Sequence, residues 1–432
     1  MIRIYLCFLL SMSLHITLAQ TSPADSIKLP PRDTVIYTMQ QAENLFLTRN
    51  LSLVAQKYSI DSARATVITA KLYDNPGLNF STGFYQPETK KFFDLNDSRR
   101  ETAIQLSQLF KTAGKRNKAI TLSTSGIDVA QFQFYDLMRT LKFVLRADFF
   151  NIYFLERSEK LYEQEISSLR SIVPAYEQQE KKGYIALKDV LRIKSQLYTL
   201  QAEYNDLQVN IDNIQSELKT ILRERASSYI VPLADTSILY SAVVSQQPMQ
   251  RLLDTAMVNR PDVKALRSNI AFSQNNLQLQ KALAKPDVTV SLNYDRLGSY
   301  VKYFNSIGVG IPLPLFNRNQ GNIRSAHIQV DLNNVLYEAG VDKVKNDVTT
   351  SYNAALRAEK LLLSFDPGFD KQLSHLNEEV FKNFKKRNVT ILEFLDFYES
   401  FKQNVLQLNR LRFNKMNALE QLNFSIGKTI FN

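Results

Sequence analysis

A regular stripe of apolar residues between positions 190 and 221 constrains the fold of this chain more than any other feature. A 3.5-residue period that persists over this length is typical of left-handed coiled-coil packing, although an apolar stripe also fits an ordinary core helix. The members alternate in steps of three and four residues: Val190, Ile193, Leu197, Leu200, Tyr204, Leu207, Ile211, Ile214, Leu218 and Ile221.

A second long helical segment precedes the stripe and runs from Arg116 to Lys182, with Gly126 and Pro174 as its only strong interruptions. A helix of this length extends for about 100 Å at ~1.5 Å per residue, which no compact domain can enclose. The short break at 183–186 predicts that the two segments form an antiparallel hairpin. Such a hairpin needs partners along its whole length to be stable.

The composition excludes several classes of protein. Hydrophobic residues make up 44% and charged residues 22% of the 432 positions, so the chain is not disordered. The net charge of +11 could indicate nucleic acid or an anionic surface, but lysine and arginine are scattered and no recognition motif is present. The sequence also lacks a nucleotide-binding loop, a nucleophile motif and metal-ligand spacing. We therefore expect no nucleic-acid partner, no cofactor, no metal site and no enzymatic activity.

The N-terminus has the pattern of a secretory signal peptide over residues 1–19, with a charged start, an apolar core and a small-residue cleavage site. The single cysteine, Cys7, lies inside this signal, so we expect a mature chain without disulfides and without a bacterial lipid anchor. Residues 20–37 are rich in Pro, Ser and Asp, which predicts a flexible leader. No later run reaches the ~18 apolar residues of a transmembrane helix.

The rest of the chain shows the same order of predicted elements twice. Residues 38–227 and 248–428 each contain a helix, a β-hairpin and a pair of long helices, and residues 228–247 form a linker between these two structural repeats. A Pro-rich elbow joins the last strand to the following helix. It contains Pro312, Pro314, Phe316 and Gly321.

Four strands alternate apolar side chains with small or polar ones, which fits lipid on one face and water on the other, or a half-buried soluble sheet. Open sheet edges are not tolerated in lipid and four strands cannot close, so membrane strands would require oligomerisation. Three chains would give a 12-stranded barrel. The expected lipid-facing residues are Phe80, Phe84, Ile104, Leu106, Val288, Val290, Leu292, Ile307, Val309 and Ile311.

The run IGVGIPLPLFNRNQGNIR at residues 307–324, together with the signal peptide and the two repeats, resembles the TolC-type outer-membrane efflux family, and most of all its CzcC/CusC heavy-metal branch. The resemblance covers nearly the whole mature chain. It implies a mostly α fold with a small β part, in which a homotrimer combines a 12-stranded β-barrel in outer-membrane lipid with an α-helical barrel in the periplasm. It also implies partnership with a periplasmic membrane-fusion adaptor and an inner-membrane RND-type pump.

The resemblance further identifies the two breaks between long helices as periplasmic tips that dock the adaptor. The first tip is Gly183, Tyr184, Ile185 and Ala186; the second is Asn388, Val389, Thr390 and Ile391.

A ring of carboxylates at the pore entrance is implied for Glu393 and Asp396, which lie three residues apart on one helix face. Thr390 and Glu393 also fit a capping box, so a purely structural role for Glu393 is an equal alternative from the residues alone. Asp189 matches one position of the family's gate lock. The family's tyrosine and arginine partners fall on Phe384 and Val389, so we expect Arg387 to act in their place.

The function expected from these observations is that of a passive exit duct for a tripartite efflux system that exports metal cations or drugs. Two alternatives stay open at this stage: a soluble periplasmic coiled-coil scaffold or adaptor, and the exit channel of a type I protein-secretion system.

Overall fold

The computed structural model describes residues 33–93, 100–297, 301–366 and 368–431; the predicted signal peptide and residues 20–32 lie outside this range. The helices are α1 Met39–Arg49, α2 Leu51–Lys71, α3 Lys115–Lys181, α4 Leu187–Leu222, α5 Ile238–Ser241, α6 Met249–Asn259, α7 Pro261–Leu283, α8 Gln320–Leu363, α9 Phe369–Lys385 and α10 Ile391–Ile426. The strands are β1 Asp33–Thr38, β2 Gly77–Thr82, β3 Tyr85–Gln86, β4 Lys91–Phe92, β5 Thr102–Phe110, β6 Ser228–Leu233, β7 Val288–Asp295 and β8 Phe304–Gly310.

The predicted long hairpin is confirmed. Helix α3 has 67 residues and α4 has 36, and the two pack against each other. The apolar stripe of α4 forms the contact: seven of its members are buried, and Tyr204, Leu207 and Ile214 pack at the margin of the same cores. Helices α9 and α10 form a second hairpin, and α10 also packs along α3. Helices α3, α4 and α10 therefore contribute to two hydrophobic cores, the main one and a second one that also includes α9.

The first helix predicted for the repeat 38–227 is broken at Asn50 into α1 and α2. The same break separates α6 from α7 at Arg260, where Pro261 made it visible in the sequence. The two break residues have nearly identical backbone angles, with φ −63° and ψ 120° at Asn50 and φ −62° and ψ 121° at Arg260. Both are buried. Asn50 caps α2 by accepting a hydrogen bond from the backbone N–H of Leu53, whereas Arg260 binds Asp262 and Asp347.

Strands β2, β5, β7 and β8 form one antiparallel sheet in that order. The register places Leu78, Leu106, Leu292 and Ile307 in one row across all four strands, and Phe80 beside Ile104 and Tyr294. All of these residues are exposed except Tyr294, which is half-buried. The opposite face is polar or small along its middle, with one row of Asn79, Gln105, Asn293 and Ser306 and another of Gly77, Ser107, Ser291 and Gly308. The sheet is therefore two-faced, with its apolar face uncovered.

The wall of helices below the sheet repeats the order of the strands. Helix α3 packs against α2 on one side and α7 on the other, and α7 packs against α8. The chain segments that end the sheet, β2 and β8, are joined to the helices that end the wall, α2 and α8. Exposed apolar residues mark both ends at helical spacing: Val54, Tyr58 and Ile68 on α2, and Ile328, Leu332, Val335 and Leu336 on α8.

Two boundary predictions are wrong. The predicted leader, 20–37, includes residues 33–37, which belong to β1, and the predicted linker, 228–247, contains β6, α5 and a short 3-10 helix. Strand β1 pairs in parallel with β6, and Ile230 of β6 is fully buried in the main core. This pairing joins segments that are nearly 200 residues apart, so neither segment carries a local signal for it.

Two local predictions are also corrected. Strand β2 ends at Thr82, so Phe84, which we expected among its lipid-facing residues, lies beyond it and contacts the ring of Phe92. At the Pro-rich elbow the left-handed residue that starts α8 is Asn319, with φ 59°, and Gly321 already lies in the first turn of the helix. Asn319 anchors the elbow by donating hydrogen bonds to the backbone and side-chain oxygens of Gln280.

Candidate functional site

The two tips of the long hairpins are built with the same backbone geometry. Gly183 begins the first tip, just after the end of α3, with φ +75°. Its N–H binds the carbonyl of Glu180 at 2.8 Å, and the N–H of Tyr184 binds the carbonyl of Gln179 at 2.9 Å. Arg387 takes the equivalent place in the second tip with φ +64°. The N–H groups of Arg387 and Asn388 bind the carbonyls of Phe384 and Asn383, each at 3.0 Å. Both patterns are the Schellman ending of a helix.

The tips expose apolar side chains at the end of the molecule. Tyr184 is 74% exposed and Leu392 is 61% exposed, and Leu187 is exposed as well. Ile185, Val389 and Ile391 are half-buried, whereas Ala186, Asn388 and Thr390 are exposed. An end that combines two ordered turns with uncovered apolar groups is suited to contact another protein.

An aromatic stack holds the two tips together from the inside. The rings of Phe384 and Phe394 lie 4.0 Å apart between centroids and are almost parallel, and both side chains are buried. Tyr176 stacks on the other side of Phe384, at 5.6 Å, and so connects α3 to α9. The guanidinium of Arg387 also donates a hydrogen bond to the side chain of Gln179. Phe384, which the resemblance placed at a lock position, therefore lies in the core of the tip.

Glu393 forms the capping box that the sequence offered as an alternative. The hydroxyl of Thr390 accepts the N–H of Glu393 at 3.3 Å, and a carboxylate oxygen of Glu393 accepts the N–H of Thr390 at 2.9 Å and its hydroxyl at 2.7 Å. Hydrogen bonds from the backbone and side chain of Thr390 lower the pKa of Glu393 below its usual range. In the monomer Glu393 is thus a fixed, ionised cap.

The two other predicted entrance carboxylates are placed differently. Asp396 is exposed on α10 one turn after Glu393, and Asp189 is half-buried in the first turn of α4. Within the described ranges no ion pair shorter than 4.0 Å involves Asp189, Glu393 or Asp396. The structure therefore leaves Asp396 available at the tip while Glu393 is already engaged.

A group of charged residues farther from the tip was missed by the sequence analysis. Lys402 of α10 is 1% exposed and binds Glu203 of α4 at 2.8 Å and Glu399 of its own helix at 2.9 Å. Glu165 of α3 is buried beside them. A signal was present, because Glu165 continues the buried stripe of α3 through Tyr162, Leu169 and Ile172 in steps of three and four. A carboxylate in a coiled-coil core position is costly and therefore informative.

The β-sheet provides the other predicted site. Among the expected lipid-facing residues, Val288 and Val290 are half-buried and the others are exposed, and Ile311 lies just beyond β8. The polar face has hydrogen bonds across strands, from Asn79 to Gln105 at 3.3 Å and from Asn293 to Ser306 at 3.5 Å. It lines a shallow depression of about 290 Å³.

Two further properties hold within the described residues. No helix there is long and apolar enough to cross a membrane. The same residues contain no group of three or more His, Cys, Asp or Glu side chains that could hold a metal ion.

Comparison with known proteins identifies the family. The profile of the family described as "Outer membrane efflux protein" matches residues 43–222 and 252–363. The chain is 22% identical over 327 residues to the cobalt-zinc-cadmium resistance protein CzcC of Cupriavidus metallidurans, a match that covers 76% of this chain and 73% of that protein. It is 25% identical over 186 residues to the pyoverdine export outer membrane protein OpmQ of Pseudomonas putida, covering 40% and 38% of the two chains.

The fold agrees with this assignment. The crystal structure of CusC superposes with a TM-score of 0.70 at 16% identity, over 90% of this chain and 92% of that one. The family comprises channels and not enzymes, and its setting is the outer membrane. The chain belongs to the outer membrane efflux protein family.

Proposed function

We propose that three copies of this chain assemble into one channel-tunnel in the outer membrane. The observation that carries the proposal is the shared order of the sheet and the helical wall, which leaves β2 with α2 on one side of the molecule and β8 with α8 on the other. A contact between these two different edges is head-to-tail, and its repetition closes into a ring when the rotation between copies divides a full turn. Three four-stranded sheets make a 12-stranded barrel, and the helical walls make a tunnel beneath it.

The two faces of the sheet support this arrangement. In a closed barrel every backbone group is paired and the outer face meets lipid, which suits the exposed row of Leu78, Leu106, Leu292 and Ile307. The inner face would carry the row that contains Asn79, Gln105 and Asn293, giving a polar lining for water and solutes. Signal-peptide cleavage after residue 19, without lipid attachment, and the two-repeat organisation at 38–227 and 248–428 belong to the same proposal.

The channel acts as the passive exit duct of a tripartite efflux system. Energy has to come from elsewhere, so the exposed apolar groups at the tips, chiefly Tyr184 and Leu392, are the surface for a periplasmic adaptor that connects to an RND-type pump. Three copies of Asp396, one from each α10, would place negative charge at the entrance, with Glu393 beside it and Asp189 and Arg387 at its margin. Such a ring favours cations.

The substrate class favoured by the comparisons is metal cations. CzcC is named for cobalt, zinc and cadmium resistance and matches 76% of this chain, whereas OpmQ is named for pyoverdine export and matches 40% of it. Drug export is the second candidate within this function. The two alternative functions are a type I protein-secretion channel and a soluble periplasmic scaffold.

A matched pair of substitutions on β7 tests the channel. Leu292 and Asn293 are neighbours on opposite faces of the sheet. Leu292→Arg introduces a charge into the lipid-facing row, which costs about 2–4 kcal/mol near the midplane of a bilayer, and should abolish membrane insertion. Asn293→Arg should insert and, in planar bilayers, shift conductance toward anions. Equal recovery of both variants as water-soluble protein would favour the scaffold and contradict the channel.

The substrate is tested in cells that depend on this channel. Loss of the chain should raise sensitivity to cobalt, zinc and cadmium if the duct serves metals. Unchanged metal sensitivity together with raised sensitivity to organic toxins would favour drugs, and loss of a secreted protein would favour type I secretion.

A further inference from the structure

A cluster of charged side chains joins the two helical hairpins above the aromatic stack. It comprises Glu165 of α3, Glu203 of α4, and Glu399 and Lys402 of α10. Lys402 lies eleven residues after the start of α10, which puts the cluster roughly 16 Å from the tip at ~1.5 Å per residue. Glu165 and Lys402 are almost completely buried, and the side chains of Glu203 and Glu399 are 36% and 42% exposed. The cluster thus extends from the core to the surface of the contact between α3, α4 and α10.

The cluster contains three carboxyl groups and one lysine. Lys402 binds Glu203 across the hairpins and Glu399 within its own helix. Glu399 is further held by the side-chain amides of Gln196 at 3.0 Å and Gln403 at 2.8 Å. Neither carboxyl oxygen of Glu165 has a hydrogen-bond partner within the described residues. The surplus negative charge therefore falls on the most deeply buried member.

Two tyrosines donate hydrogen bonds to residues of the cluster. The hydroxyl of Tyr162 donates to Glu203 at 3.2 Å, and that of Tyr398 donates to the backbone carbonyl of Glu165 at 3.0 Å. Burial and the nearby carboxylates raise the pKa of both tyrosines, so both stay neutral. The groups that face Glu165 are thus Lys402, Glu399 and Tyr398 from α10, Glu203 from α4, and Tyr162 from its own helix.

Burial raises the pKa of the Glu165 carboxyl to about 8. Repulsion from Glu399 and Glu203 adds to this effect, and attraction to Lys402 only partly offsets it. Below about pH 8, the carboxyl of Glu165 is accordingly neutral while the hairpins are packed. In water the same group would ionise near its ordinary value of 4.5. The packed arrangement binds a proton that the separated arrangement releases, so raising the pH between these values favours separation.

Lys402 has a partner in both arrangements. If α10 moves away from α3 and α4, the Lys402–Glu203 pair breaks, but the Lys402–Glu399 pair lies within one helix and can persist. This lowers the cost of moving a buried lysine, because its charge is never left unpaired. The pairing therefore allows a second arrangement, with α10 apart from α3 and α4, and a switch requires two such discrete arrangements.

We propose that Glu165, Glu203 and Lys402 form a latch between the hairpins that holds the periplasmic entrance closed and releases it when Glu165 ionises. This inference rests on the proposed channel function. It assigns entrance control to residues well above the tip, in addition to the carboxylates of the tip itself.

Single-channel recording on the full-length protein in planar bilayers tests the latch. The open fraction of the wild type should rise between pH 6 and pH 8.5. Glu165→Gln should keep the channel mostly closed and remove this rise. Glu203→Gln should raise the open fraction at least several-fold at pH 6, because it removes the ion pair that crosses the hairpins and leaves the Lys402–Glu399 pair in place. Lys382→Met, which removes an exposed pair with Glu379 on α9, is the control and should behave as the wild type.

The conservative variant Lys402→Arg should retain the closed state, whereas Lys402→Met should not. If Lys402→Met does not assemble, Glu203→Gln still decides the matter, since it leaves Lys402 paired with Glu399. A Glu165→Gln channel with an unchanged pH response, or a Glu203→Gln channel with wild-type gating, would overturn the latch. Both of those results require a conducting channel, so they differ from failure of the channel proposal, in which no variant conducts.

Discussion

Replacing Phe394 by alanine should loosen the periplasmic tips without unfolding the rest of the chain. Phe394 is completely buried, and it stacks on Phe384 at 4.0 Å with an angle of 4° between the rings. Its ring also lies 5.0 Å from that of Tyr398. Removing a buried phenylalanine typically costs about 3–5 kcal/mol, which includes the cavity left behind. Here the cost should fall on the contact between α9, α10 and α3, because the stack belongs to the second core and not to the main one.

Hydrogen exchange followed by mass spectrometry can measure this loss peptide by peptide in the assembled protein. A local loss of about 3–5 kcal/mol corresponds to exchange that is faster by roughly a hundred- to a few-thousand-fold, at about 1.4 kcal/mol per factor of ten. The acceleration should appear in peptides from the end of α9 and the start of α10. Peptides from the main core, around α1 and β6, should be unchanged.

Leu392→Ala provides the matched control, since Leu392 lies two residues away in the same helix and is 61% exposed. It should alter exchange by less than about threefold, as expected of a surface position. If Phe394→Ala exchanged no faster than Leu392→Ala, the aromatic stack would not stabilise the tips and the packing argument would be refuted.

Three further predictions concern stability. Gly183→Ala should destabilise the first tip by about 1 kcal/mol because of its φ of +75°, although a Cβ there meets no atom within 4 Å; a small fall in melting temperature would show it. Gly427→Ala should lower the melting temperature more, since its φ is +72° and its Cβ would lie 3.0 Å from the backbone of buried Arg260; an equal effect would contradict the steric argument. Burial raises the pKa of Asp262, but the hydrogen bond from Arg260 and the charge of Arg139 outweigh this and lower it below 3.8. The resulting stabilisation is present above pH 3.8 and is lost as the pH falls through the lowered pKa. Asp262→Asn should therefore weaken the pH dependence of the melting temperature between pH 5 and pH 2.5.

The periodic parts of the molecule could be predicted because their signals are local and repeated. The 3.5-residue stripe that ends at Ile221 fixed the buried face of α4, and the two-residue alternation around Leu292 fixed the faces of the sheet. The Schellman ending at Gly183 is also visible as a glycine between two long helices. Arg387 adopts the same conformation without a glycine, so its turn is apparent only from the position of the break.

Other features depend on contacts between distant segments and could not be predicted. The break at Asn50 has no proline, unlike its counterpart at Arg260, and is stabilised by the side chain of Asn50 donating to the carbonyl of Ile221 at 2.9 Å. The pairing of β1 with β6 likewise joins remote segments. The charge cluster was foreseeable only in part, because Glu165 interrupts an apolar stripe but its neighbours come from three helices. The entrance roles of Asp396 and Asp189 stay predictions.

The mass of the detergent-extracted protein, measured by light scattering and corrected for bound detergent, tests the central claim most directly. We expect about three chains per particle, recovered from the outer-membrane fraction, because the open edges of the sheet and of the helical wall must be covered by other copies. A monomer or dimer that stays in solution without detergent and is recovered from the periplasmic fraction would contradict the shared barrel and the duct built on it.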